Sequence, residues 1–250
     1  MKIAVCVSHV PDTATKIKIG QDRKSIDNAG VTYVINPYDE FAIEEALKTK
    51  EKFGGDSTTC SITVGDDSAK ETIRKVLALG IDEAVLLKPD KNPDSMNVAK
   101  ALAEEIKSLG CEIVFFGKQS VDYDSGIMGQ LVAELLGFNC ISVVVDLKIE
   151  GDKVIAEREI EGGREVVESN LPIVITTQKG LNEPRYASLK GIMAAKKKNI
   201  NEKQIQINEN LLEVIEMNLP PSKQPGRIIG TDATAVPELV RLLREEAKVI

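Results

Sequence analysis

Strand-like and helix-like stretches alternate from the first residue to about residue 140, which predicts an α/β protein with a doubly wound, mostly parallel sheet and helices on both faces. From about Ile141 the pattern changes to successive extended stretches joined at Gly151-Asp152 and Gly162-Gly163, which predicts extra antiparallel strands. After Ile200 the chain turns polar and irregular, and a Pro-rich stretch precedes one last amphipathic helix. That predicts an extended C-terminal arm ending in a helix. The expected division is an α/β nucleotide-binding domain over 1–200 and an arm over 201–250.

Lys2 to Val7 alternates as a short strand, and Val31 to Ile35 is a second extended piece stopped at Asn36-Pro37. Tyr38 to Phe53 reads as a helix, because Phe41, Ala42, Ala46 and Leu47 share a face and Gly54-Gly55 end it. Thr58 to Val64 is a strand. Asp66 or Asp67 would cap the helix that follows to about Gly80, with Ile73, Val76, Leu77 and Leu79 inward. Glu83 to Leu87 is a strand, and Ser95 would cap a helix running to Leu109. Glu112 to Phe116 is a strand and Gly126 to Leu136 a helix. Stretches beginning at Val143, Val154 and Gly163 form the meander, and the apolar run Leu171 to Thr177 is a buried strand. Pro220 to Gly226 reads as a linker. Leu239, Val240, Leu242 and Leu243 give the helix from Val236 to Lys248 its apolar side.

Composition narrows the function classes. A net charge of −7 argues against nucleic acid as the main partner. No apolar run reaches transmembrane length, so membrane insertion is not expected. The amino-terminal stretch reads as a first strand and not a signal peptide, and the expectation is a cytoplasmic protein. Cys6, Cys60, Cys111 and Cys140 are widely spaced without a C-x-x-C, which reads as buried reduced thiols and not a metal site. His9 is the single histidine. One histidine beside Asp12 is a weak general base, and a cleft histidine is the plainer reading. The adjacent acids Glu44-Glu45 and Asp66-Asp67 point different ways and suggest no acid–base pair.

Open parallel sheets bind ligands beyond the carboxyl ends of their strands. The richest such end is Gly117 to Gly129, where Ser125 and Gly126 would open a helix with free N–H groups suited to a phosphate. Neither G-x-G-x-x-G nor G-x-x-x-x-G-K-[ST] occurs. Pattern alone leaves a nucleotide site and a polar helix-capping loop level. The stretch Leu181 to Lys198 is equally two-sided. Asn182, Glu183, Pro184 and Gly191 interrupt it, and a short turn carrying Leu, Ile and Met outward would be a docking surface. Composition alone reads it as a strand-to-helix connection ending in solvated lysines.

The string Leu181-Asn-Glu-Pro-Arg-Tyr through Lys196-Lys-Lys198 closely resembles the signature of the electron transfer flavoprotein β subunit, an adenine-nucleotide α-hydrolase-like family. Gly117-Lys-Gln-Ser-Val-Asp-Tyr-Asp is similar to the family's G-[KR]-Q-[AS]-x-D-x-D stretch. The resemblance runs from residue 1 to about 200, and the tail matches loosely. It implies an electron carrier with no bond chemistry of its own, paired as a heterodimer with an α subunit that holds most of the FAD. Donors would be acyl-CoA or other dehydrogenases, and the acceptor a quinone oxidoreductase or similar. The C-terminal arm would dock on the α subunit.

Carried over by position, adenine-nucleotide contacts fall on Cys6, Asn36, Pro37, Tyr38, Asp39, Val64, Ser120, Val121, Asp122, Tyr123, Asp124, Ser125, Gly126, Ile127, Met128, Gly129, Gln130 and Leu131, mostly through backbone. Tyr38 would lie against the flavin. Ordinary members hold AMP there and electron-bifurcating members a second FAD. Leu181 to Tyr186 and the lysine run resemble the ordinary form, whereas Val121 to Gly126 and Ser8-His9 depart from it; AMP is the expectation. The recognition loop would use Leu189 as anchor with Tyr186, Ile192 and Met193, and Arg185, Lys196, Lys197 and Lys198 as a basic rim. Lys190-Gly191 stands where proline-asparagine is usual, which predicts a floppier loop or one tuned to another partner. Two other readings remain: a homodimeric nucleotide-binding regulatory protein of the same architecture, and an ATP-using ligase, whose S-G-G-x-D-S loop is absent.

Overall fold

The computed structural model describes residues 1–223 and 225–250, so Gln224 of the expected linker lies outside the described residues. One nine-stranded sheet organises the molecule, in the order β11-β5-β4-β1-β6-β10-β7-β8-β9. These strands are β1 (Lys2–Cys6), β4 (Thr58–Val64), β5 (Glu83–Pro89), β6 (Ile113–Gly117), β7 (Asn139–Glu150), β8 (Lys153–Ile160), β9 (Gly163–Asn170), β10 (Ile173–Thr177) and β11 (Asn201–Ile205). From β11 to β7 all neighbours pair in parallel, and β7, β8 and β9 form the antiparallel meander. The α/β class, the helices on both faces and the added antiparallel strands all agree with the sequence pattern.

The sheet is doubly wound because its strands carry apolar residues on both faces. Ile3, Val5, Ile113, Phe115, Ile173 and Ile175 pack under α1 (Pro37–Phe53), while Ala4, Cys60, Ile62, Val114 and Val174 pack with α3 (Ser95–Leu109) and α4 (Met128–Leu136) on the other side. Such two-sided burial produces continuous apolar runs instead of alternation. Beyond α1, α2 (Ala69–Leu79) covers Ala84 and Leu86 and in turn receives Ala195 of α5 (Leu189–Lys197). Local signals set the helix bounds. Pro37 occupies the first turn of α1 with Asp39 and Glu40, Lys50 and Lys52 sit in its last turn, and Gly54 ends it.

Several local expectations need correction. Asp94, not Ser95, caps α3, since its carboxylate accepts from the Asn97 amide at 2.8 Å. Ser68 occupies the cap of α2 and Asp66 instead accepts from the Ser68 amide in a local turn. The extended piece after Val31 does not enter the main sheet: β3 (Tyr33–Ile35) pairs antiparallel with β2 (His9–Pro11) as a small separate sheet. The stretch after Ile200 begins with regular structure, because β11 adds an edge strand in parallel register with β5, and the described residues from 206 to 232 are irregular as expected. Cys140 is exposed, whereas the other three thiols are buried as expected. The last helix, α6 (Val236–Glu245), is shorter than expected and follows a 3-10 turn at Ala233–Ala235.

The chain past β11 is pinned before it becomes an arm. Asp94 Oδ2 accepts from the amides of Leu211 and Leu212, and Asn97 Nδ2 donates to Asn210 Oδ1 at 3.0 Å. Further on, Lys24 pairs with Glu213 at 2.7 Å and Arg23 pairs with Glu216. Leu211, Leu212, Ile215, Leu219 and Ile228 nevertheless face outward, as do Val236 and Leu239 of α6. No helix among the described residues is long and apolar enough to cross a membrane.

Candidate functional site

The strand order reverses at β1, with β4 on one side and β6 on the other. In doubly wound sheets such a switch point is where ligands bind, beyond the carboxyl ends of the strands. Asn36 and Asp39, at the start of α1, hold this edge together. Asp39 Oδ2 accepts from the Ser8 amide at 2.7 Å, and Oδ1 accepts from Asn36 Nδ2 at 2.9 Å and from the Gly117 amide at 3.1 Å. Asn36 Nδ2 also donates to the Gln119 carbonyl at 2.9 Å, while its Oδ1 accepts from the Val121 amide at 3.1 Å. Both side chains are buried. Their polar atoms are thus committed to protein partners that join the ends of β1 and β6 to α1. Gly117 is required here by space, since a Cβ would lie 2.7 Å from the Tyr38 carbonyl carbon and collide with Asp39.

Burial pushes the Asp39 carboxyl up to about 7, and the donors from Ser8, Asn36 and Gly117 offset only part of that. The Cys6 thiol, at the end of β1, is likewise pushed up by burial. Tyr38 is half-buried, with Lys118 Nζ 5.0 Å from its ring centroid. His9 is not paired with Asp12. Its ring stacks on Tyr33 with centroids 4.3 Å apart, Nδ1 lies 2.7 Å from Thr72 Oγ1, and Nε2 lies 3.1 Å from Ser68 Oγ. Asp12 instead accepts from the Ala14 amide. A histidine held on both nitrogens by hydroxyls gives no support to the general-base reading.

The loop from Lys118 to Ile127 forms the outer wall. Gln119 Nε2 donates to Asp124, which takes a left-handed backbone at φ 54°. Asp122, Tyr123 and Asp124 are exposed; Ser120, Val121, Ser125 and Gly126 are half-buried. Helix α4 begins at Met128, so Ser125 and Gly126 do not open it. Ile127 holds the cap position without a side-chain cap. The first amides of α4 therefore lack a side-chain acceptor, which is the donor set a phosphate takes at a helix start. Gly129 packs where a Cβ would strike Thr176 of β10, and this sets how near α4 approaches the sheet. Gln130 is exposed, and Val64 and Leu131 are half-buried.

The segment from Leu181 to Lys198 lies elsewhere. It leaves β10 along α1, where Asn182 Nδ2 donates to the Phe41 carbonyl and to Glu45, and Arg185 forks onto Glu44 at 2.8 and 3.0 Å and reaches Glu51 at 2.7 Å. Arg185 is consequently not part of a free basic rim. Lys198 is also tied down, with its Nζ 2.5 Å from the Ile81 carbonyl, while Lys196 and Lys197 stay exposed. Ser188 caps α5 by accepting from the Gly191 amide at 3.0 Å. From this anchored segment Tyr186 (97% exposed), Leu189 (84%) and Met193 (60%) project into solvent, with Ile192 less so.

Comparison with known proteins fits this arrangement. The electron transfer flavoprotein domain matches residues 24–207. The chain is 40% identical to the electron transfer flavoprotein subunit beta of Bacillus subtilis, with both chains covered in full. It is 37% identical to the subunit of that name from Bradyrhizobium diazoefficiens and 36% identical to a mitochondrial one from Oryza sativa subsp. japonica, again over the whole of each chain. The chain belongs to the electron transfer flavoprotein β subunit family.

Within this family member, sequence reasoning singled out Asn36 and Asp39 but not the clamp they form. Ser8 and Gly117 complete it through their backbone amides, for which a sequence carries no side-chain signal. The glycine is the one available hint, because an obligatory Gly at a strand end marks close backbone approach. Asp39 yields a pH prediction. Its folded value lies above the ordinary carboxylate value, so its favourable contribution is full in acid and is lost as pH rises through about 7. The stability difference between wild type and Asp39→Asn, measured by urea unfolding, should fall by on the order of 2 kcal/mol between about pH 5 and 8. A difference that stays flat with pH would mean that Asp39 is already ionised throughout.

Proposed function

We propose that this chain is the β subunit of a heterodimeric electron transfer flavoprotein, carrying electrons from a dehydrogenase, such as an acyl-CoA dehydrogenase, to a quinone oxidoreductase or another acceptor. One observation carries the docking half of this reading: three large apolar side chains, Tyr186, Leu189 and Met193, stand in solvent on a segment anchored to the body. Isolated exposed apolar residues are ordinary, but a fixed cluster is a recognition surface. Leu189 is the anchor, since one apolar side chain entering a pocket concentrates binding energy at a point. Lys196 and Lys197 form the reduced basic rim, which speeds encounter more than it tightens the complex.

The chain performs no bond chemistry in this reading. FAD, held mainly by an α subunit, supplies the electron storage. Tyr38 offers a half-buried aromatic face at the carboxyl edge, suited to packing on a flavin and excluding water. At the same edge AMP is the structural ligand. The residues fit it: the uncapped start of α4 offers amide donors for its phosphate, and Ser120 to Ile127 supply a polar wall. Asn36 and Asp39 serve the pocket by shaping its backbone, as their side chains are already engaged.

Acid extraction of the purified heterodimer should release AMP and FAD in equal amounts, read by chromatography. Two FAD and no AMP would assign the carboxyl edge to a second flavin and the complex to the bifurcating type. A colourless homodimer would overturn the heterodimer itself. Leu189→Ala should slow reduction by a dehydrogenase that reduces wild type by roughly tenfold or more, with flavin content unchanged; equal turnover would remove Leu189 from that role. Deleting residues 231–250 should weaken assembly with the α subunit, because Val236 and Leu239 have no cover of their own. A full yield of heterodimer on size exclusion would contradict it.

A further inference from the structure

Lys190-Gly191 predicted a floppier loop or one tuned to another partner, and the geometry points away from the first of these. We infer that the docking segment is held in one pose by an Arg185–Glu44 clamp on α1 and a seat for Gly191 on α2, and that Arg185 and Gly191 are positioning residues for partner recruitment. The inference rests on the docking role of Leu189 proposed above and adds the parts that present it.

Four contacts make the clamp. Arg185 Nε and Nη2 meet the two oxygens of Glu44, Nη1 meets Glu51, and the Arg185 backbone amide donates to Glu44 Oε2 at 3.1 Å. The Glu44 side chain is only 6% exposed, so water competes little for it. The planar guanidinium fixes direction as well as distance, which a lysine ammonium does not. This sets the chain immediately ahead of Tyr186. The seat lies six residues beyond Arg185, in the first turn of α5. Gly191 rests against the end of α2 so closely that a Cβ would collide with the Ala78 carbonyl oxygen. Beyond it, Ala195 and Ile200 are buried in the α2 cluster, and Arg74 Nη1 donates to the Ala195 carbonyl at 2.6 Å and to that of Lys198.

Both ends of the segment and its middle are therefore fixed while its apolar side chains stay in solvent. Binding then orders little that is not already ordered, and the anchor keeps more of its contact energy. The glycine at 191 serves close approach. It permits no turn here, since it lies inside α5.

The test uses the flavin-loaded heterodimer and a dehydrogenase that reduces the wild-type complex, with Arg185→Lys, Gly191→Ala, Leu189→Ala and the Arg185→Lys/Leu189→Ala double variant. Arg185→Lys keeps the charge and removes only the fork, so Glu44 is not left without a cation. In Arg185→Lys and in Gly191→Ala, the KM for the heterodimer should rise roughly three- to tenfold with kcat and dithionite reduction unchanged. Amide hydrogen exchange over residues 186–193 should quicken in both. The double variant should add little to the KM of Leu189→Ala, because a mispositioned anchor and a missing anchor lose the same contact. An unchanged KM in both positioning variants overturns the inference, as does full additivity in the double variant or loss of flavin content in both single variants. If Leu189→Ala itself leaves KM unchanged, it is the docking reading that fails, and that outcome is distinct.

Discussion

A strand that joins a parallel sheet must be entered from the sheet's amino edge. β11 pairs in parallel with β5, so the chain that leaves β10 at the carboxyl edge has to travel the length of the molecule before it can pair again. Residues 178–198 are that return path. They descend along α1, first beside Phe41 and Glu45, then beside Glu44 and Glu51, and close against the end of α2 at Ala78 and Ile81. Helices in such a fold run opposite to their strands, so the ends of α1 and α2 mark the amino edge. The position of Leu189 is thus a consequence of topology before it is a matter of recognition.

The opposite edge depends on two buried polar side chains. Asn36 and Asp39 join three chain segments: the exit of β1, the start of α1 and the exit of β6, of which the first two also share a backbone bond from the Asn36 amide to the Ser8 carbonyl. Burial of a carboxyl group with no cation among its hydrogen-bond partners carries a cost, and the rise of Asp39 to about 7 expresses it. The cost is met by several amides that would otherwise lack acceptors in a place where strands diverge. Backbone arranged in this way can face a ligand with its own amides, and few side chains are then needed.

The legible parts of the sequence were those with strong period or strong punctuation. Apolar runs such as Val114 to Phe116 and Ile173 to Ile175, closed by glycine or helix signals, could only be buried strands. What escaped was structure made by position and not by pattern. Asn201-Glu-Lys-Gln-Ile has one apolar residue in five, yet it pairs along its whole length because β5 offers a free edge. β2 is three residues long and has no period to read, and β3, legible as an extended piece, lies across a long connection from it, so their pairing could not be foreseen. Asp94 won the α3 cap over Ser95 because its two oxygens also serve the returning chain at Leu211 and Leu212, a contact distant in sequence. The string from Leu181 to Lys198 stood out, but its anchoring did not: Gly191 reads as freedom in a sequence and acts as close packing in the fold.

These two edges together constrain how electron carriage can work. Tyr38 and the wall of Ser120 to Ile127 lie at the carboxyl edge, whereas Leu189 lies at the amino edge, with the length of the strands between them. Under the proposed function, a dehydrogenase gripping Leu189 would therefore not be seated on the face that Tyr38 would offer a flavin. Under the same proposal, attachment and electron exit would be separated, and a partner could be tethered at one end while the other end stays free to exchange neighbours. Separation of this kind favours a carrier. The grip can remain small and quickly reversible because it need not also orient the redox groups. A preordered gripping segment suits such a grip, because a single small anchor can spare little binding energy for ordering the chain that carries it.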